Sequence, residues 1–93
     1  MRPLLMLQTL MDAGYEPRAY SGRGMYGRQC ISVTTGERVH SVLADIIACC
    51  EDVDAASDMI RGASTDNMGL DHVIYWPSVT WQEVLANADG RDG

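Results

Sequence analysis

Ninety-three residues fit a single domain spanning 1–93, and a chain of that length buries only about 60–65% of the surface its unfolded form exposes. An apolar fraction of 46% beside 22% charged residues is too apolar for a disordered chain. A net charge of −6 argues against direct binding to duplex nucleic acid, because such a body repels phosphate.

Two residue types are missing. Phe is absent, so bulk in the core must come from Leu, Ile, Val, six Met, four Tyr and two Trp. Lys is absent too, and all seven cations are Arg, planar forks suited to carboxylate or phosphate. Charge is divided unevenly along the chain. Residues 1–44 carry five Arg against Asp12, Glu16 and Glu37, a balance of +2; residues 45–93 carry ten acids against Arg61 and Arg91, a balance of −8. An asymmetry of this size points to an interaction surface, with a basic protein surface as its natural target. A core this thin also makes a homodimer one route to added stability.

Arg2 ahead of Leu4–Leu7 imitates the start of a signal peptide, but Gln8 and Asp12 interrupt the run and no small-residue cleavage site follows. No apolar run reaches the length of about 18 residues that a membrane span needs. Cys30, Cys49 and Cys50 are odd in number, and adjacent cysteines do not satisfy disulfide geometry. Free thiols imply a reducing compartment, the cytoplasm.

In chain order, Pro3 suits the first turn of a helix over 3–13, with Leu4, Leu7, Leu10 and Met11 on one face and Gly14 as its left-handed close. Arg18 to Ser21 reads as a short strand, Gly22-Arg23-Gly24 as a turn in which Gly22 or Gly24 supplies positive φ, and Met25 to Thr34 as the returning strand. Within it Ile31 and Val33 alternate with Ser32 and Thr34, the pattern of a half-buried strand. Thr34-Thr35-Gly36-Glu37 has capping-box spacing and predicts the start of the main core helix. Val39, Val42, Leu43, Ile46, Ile47 and Cys50 form its continuous apolar stripe. Asp52 or Asp54 caps a shorter helix through Met59 and Ile60, ended by Gly62.

Thr65 to Gly69 reads as a turn. His72 to Trp76 is β-branched and aromatic and reads as a third strand stopped by Pro77. Thr80-Trp81-Gln82-Glu83 repeats the capping-box pattern and opens a last helix to about Ala88, with residues 89–93 expected to fray. The expected class is α+β in the order α-β-β-α-α-β-α, a small antiparallel sheet of about three strands with helices packed on one face.

Three groups of residues carry candidate chemistry. Gly22-Arg23-Gly24-Met25-Tyr26-Gly27 matches G-x-G-x-x-G but leads into a strand, which removes the dinucleotide-binding reading. It can instead be a plain hairpin, or a loop that holds an anionic ligand such as a nucleotide through Arg18, Tyr20, Gly22, Arg23, Gly24, Tyr26 and Arg28. Asp45, Glu51, Asp52, Asp54 and Asp58 form a carboxylate band, either a solvated face or a patch that meets an Arg- or Lys-rich partner. Cys30, His40, Cys49, Cys50 and His72 match no metal-ligand spacing, and Cys50 falls on the core stripe; no metal and no cofactor is expected. Ser41, His40 and Asp45 form a triple that any chain of this length offers. Tyr75, Trp76 and Trp81 are core residues or, at 72–76, a binding edge.

Tyr20-Ser21-Gly22-Arg23-Gly24-Met25-Tyr26-Gly27-Arg28-Gln29-Cys30, with Asp66-Asn67-Met68-Gly69 and Tyr75-Trp76-Pro77, resembles small proteins encoded by bacteriophages and prophages, over about residues 18–77. Small acidic phage proteins are often inhibitors of bacterial defence, anti-CRISPR proteins among them. The resemblance implies a non-enzymatic inhibitor that binds a host protein or nucleoprotein complex.

Overall fold

The computed structural model describes residues 3–22 and 25–90. Over them the chain is α+β, with four helices and a four-stranded antiparallel sheet. Its elements are α1 (Pro3–Asp12), β1 (Arg18–Tyr20), β2 (Cys30–Thr35), α2 (Val39–Cys49), α3 (Val53–Gly62), β3 (Ser64–Met68), β4 (Asp71–Thr80) and α4 (Trp81–Gly90). The sheet order is β1-β2-β4-β3. No helix among the described residues is long and apolar enough to cross a membrane.

The order therefore gains a strand over the sequence expectation. Residues 64–68, read as a turn, pair with β4 from Ser64 opposite Tyr75 to Met68 opposite Asp71. The turn is only two residues, Gly69 and Leu70. Gly69 has φ +65, the positive value a type II′ hairpin needs at its first central position. Because β3 covers the far side of β4, residues 72–76 lie inside the sheet and are no binding edge.

Pro77 does not stop β4. Ile31 faces Trp76 while its neighbour Cys30 faces Thr80, so residues 77–79 bulge out of the ladder. A proline at a bulge removes no ladder hydrogen bond. The returning strand also starts later than expected, at Cys30 rather than Met25. β1 ends at Tyr20 and β2 begins at Cys30, so the connection, residues 21–29, is longer than a tight hairpin turn.

Only the second capping box caps a helix; Thr34, the hydroxyl of the first, lies in β2 opposite Val73. At α4, the Glu83 N–H donates to Thr80 Oγ1 (3.2 Å), as the spacing predicts. At α2, the Glu37 N–H donates to Thr35 Oγ1 (3.1 Å) in a turn that precedes the helix. The helix begins at Val39 after Arg38, whose side chain makes no capping bond. Glu37 is engaged elsewhere, accepting from the Tyr15 hydroxyl (3.0 Å). Asp52 is the N-cap of α3, accepting from the Ala55 N–H at 3.1 Å. Gly14, at φ +92, closes α1 as expected.

All four helices pack on one face of the sheet. Met6 and Leu10 from α1, Val42 and Ile46 from α2, Met59 from α3 and Val84 from α4 meet Ile31, Val33, Ile74 and Trp76. Trp76 Nε1 donates to the Met59 carbonyl (2.7 Å), tying β4 to α3. The opposite face holds a second cluster of Met25, Cys30, Val73 and Tyr75, flanked by Tyr20. β2 is thus buried on both faces near its start, and Ser32, expected outward in solvent, is buried with its hydroxyl donating to the Arg18 carbonyl (2.8 Å).

Candidate functional site

The turn from α2 into α3 is short and tightly bonded. The Cys50 N–H closes α2 on the Ile46 carbonyl (3.0 Å), and its thiol reaches the Asp52 carbonyl (3.4 Å). Between the two helices lies a groove of about 300 Å³ lined by Ile47, Cys50, Val53, Ala56, Ser57, Ile60 and Arg61. Ile47 is 55% exposed and Val53 80%. Ile47 was expected on the core stripe. The stripe is wider than the sheet can cover, and its edge is left in this groove. On α3, Val53, Ala56 and Ile60 follow one another at i, i+3 and i+7 on the same side. That spacing was the available signal for the groove; read alone, it marks only a core-facing helix.

The five carboxylates do not form one band. Asp45 sits two residues from Ile47, about 200° around α2, where it accepts from the Tyr15 hydroxyl (2.7 Å) alongside Glu37. Burial, reinforced by those two carboxylates, holds the Tyr15 hydroxyl well above the ordinary tyrosine range. Asp52 works as the α3 cap. Asp58 pairs with Arg61 (2.6 Å). Glu51 and Asp54 are exposed beside the groove, at the turn and in the first turn of α3. Asp54 there also complements the helix dipole.

The hairpin residues are divided between packing and solvent. Arg18 pairs with Glu16 (3.3 Å) at the surface. The Tyr20 hydroxyl donates to Asp66 (2.7 Å), and this bond, with burial second, pushes its pKa up to about 12. The Tyr20 and Tyr75 rings lie 5.1 Å apart, and Gly22 is pressed against both: a Cβ there would stand 2.8 Å from Tyr20 Cε2 and 2.9 Å from Tyr75 Cε2. Arg23 and Gly24 lie outside the described residues. Among the described residues of this connection the positive φ lies not at Gly22 but at Tyr26 (+53) and Gly27 (+83), where the Arg28 N–H donates to the Met25 carbonyl (3.0 Å). Tyr26 is 93% exposed.

Arg28 Nε donates to the Met25 carbonyl (3.3 Å), and the residue lines a polar cavity of about 310 Å³ with Ser21, Gly27, Gln29, Thr80 and Gln82. Of the proposed ligand residues that are described, Tyr20 and Gly22 are thus bound up in the second cluster, Arg18 in its surface pair, and Arg28 alone lines the cavity.

The cysteines and histidines are dispersed. Cys30 is buried under the loop, its thiol donating to the Tyr20 carbonyl (3.3 Å), and burial pushes its pKa up. His72 lies by the far end of β2, opposite Thr35, within 3.0 Å of Asn67 Oδ1. His40 is exposed on α2. No group of three or more His, Cys, Asp or Glu gathers among the described residues in a metal-holding arrangement. Comparisons with protein families, with curated proteins and with solved structures return no match.

Proposed function

We propose that this chain is a protein-binding module that acts by association rather than catalysis, and that its contact face is the α2–α3 corner. The observation that carries the reading is the exposure of Glu51 and Asp54 beside an open apolar groove. Charge around a desolvatable centre is the anatomy of a protein interface. The −8 balance of residues 45–93 supports a basic partner surface. The resemblance to small phage proteins supports a bacterial defence complex as the partner, blocked as an anti-CRISPR-type inhibitor blocks its target.

The test is capture from bacterial lysate at low and high salt, with Glu51→Arg/Asp54→Arg as the comparison. Asp52 is left alone because reversing it removes a helix cap. The expected result is a complex that weakens with salt and is lost in the double variant. A complex indifferent to both would contradict the proposal.

A second reading rests on the polar cavity beside Arg28. There the chain holds a small anion, and native mass spectrometry of freshly purified protein should retain a ligand mass that disappears in Arg28→Ala. A clean apo mass argues against it.

A further inference from the structure

The charged rim explains attraction but not what fills the groove. Ile47, Val53 and Ile60 line a cleft between two helices whose other apolar residues, Val42, Ile46, Ala56 and Met59, are buried in the body of the protein. In a core this thin, apolar groups left in water are costly, and an occupant that covers them recovers that cost. Glu51 and Asp54, the chain neighbours of the lining residues Cys50 and Val53, are exposed at the turn end of the cleft. Arg61, the one cation lining the groove among the described residues, is held by Asp58 at 2.6 Å.

We infer that the α2–α3 groove receives the apolar stripe of a partner's amphipathic helix whose flanking positions are Arg or Lys. The inference rests on the protein-binding reading above and specifies its mode. A helix laid between two helices buries anchors at i, i+3 or i+4, and i+7, and places its flanking residues over the groove's rims. The exposed groups at the groove's turn end, Glu51 and Asp54, are acidic, so a basic flank is favoured there over an acidic one. The same complementarity disfavours a second copy of this chain docked through this corner, because the cation it would bring, Arg61, is already held by Asp58. It disfavours nucleic acid as well, whose phosphates would meet Glu51 and Asp54.

The probe is a fluorescein-labelled helical peptide with Leu at i, i+4 and i+7 and Arg at the flanking positions. It is titrated into the full ¹⁵N-labelled chain by anisotropy and amide chemical shift. Two control peptides share its length, one with the same residues scrambled and one with Glu in place of Arg. The patterned Arg peptide is expected to bind, shifting the amides of Ile47, Cys50, Val53, Ser57 and Ile60. Val53→Asp should weaken it at least tenfold with an unchanged thermal melt, since Val53 is 80% exposed. Glu51→Gln/Asp54→Asn should weaken it several-fold.

If the scrambled peptide binds equally, or Val53→Asp changes nothing while Glu51→Gln/Asp54→Asn still abolishes binding, the groove is no anchor site and the acidic-surface reading alone survives. If the Glu peptide binds as well as the Arg peptide, the acidic-surface reading falls, and the basic helix falls with it.

Discussion

The α2–α3 corner and the 21–29 loop differ in how they use their reactive residues. In the loop, Tyr20 donates to Asp66, Gly22 is wedged against two tyrosine rings, and Met25 is buried beneath the sheet's second face. Its conspicuous sequence is largely consumed in covering a small cluster that no helix covers. At the corner the packing is complete without Ile47 and Val53, and Glu51 and Asp54 stand in solvent. The difference teaches that an unusual motif and an available surface are separate properties. In this molecule the plainer segment is the more available one.

The comparison can be broken most forcefully from the helical face. Trp76→Ala removes the largest buried side chain and its bond to the Met59 carbonyl. It should cost about 3–5 kcal/mol in urea unfolding, enough to threaten folding. On the loop face, Gly22→Ala should cost about 1–3 kcal/mol, because the new Cβ collides with two packed rings. Amide exchange in residues 25–30 should rise with it; an unchanged midpoint and unchanged exchange would mean that the loop is not a cover.

Asp52→Ala should cost about 1 kcal/mol through the lost cap on Ala55, read as a lower melting temperature. Alkaline pH separates the two regions further. The Tyr20 pKa is raised in the folded state from the ordinary 10.0 to about 12. The stability it contributes is therefore whole below pH 10.0 and is lost as pH climbs towards about 12. Tyr20→Phe should flatten that part of the alkaline decline, and an unaltered profile would remove Tyr20 as its cause. The smallest effect belongs to Val53→Asp, which should change stability by no more than about 0.5 kcal/mol because the side chain supports nothing.

Much of the helical architecture was legible because its signals are local. Gly14, Asp52 and Thr80 mark helix ends with hydrogen bonds made within a few residues, and the α2 stripe fixes which side faces the sheet. Long-range pairing was not legible. Ser64-Thr65-Asp66-Asn67 has the composition of a turn and becomes a strand only because β4 offers it a ladder. Thr34 to Glu37 has the spacing of a helix cap, yet Glu37 is drawn to Tyr15, 22 residues away. Pro77 reads as a stop where a bulge needs no N–H. As for the candidate site, the acids could be named from sequence. Their division between the Tyr15 contact and the α3 rim depends on helix phase and on what packs nearby, as does the exposure of Ile47.

The most direct test of the α2–α3 corner as the contact face is hydrogen–deuterium exchange of the chain alone and in complex with its captured partner. The prediction is new protection at residues 47–60 with residues 21–29 unchanged. Protection confined to 21–29 would contradict it and move the contact face to the loop.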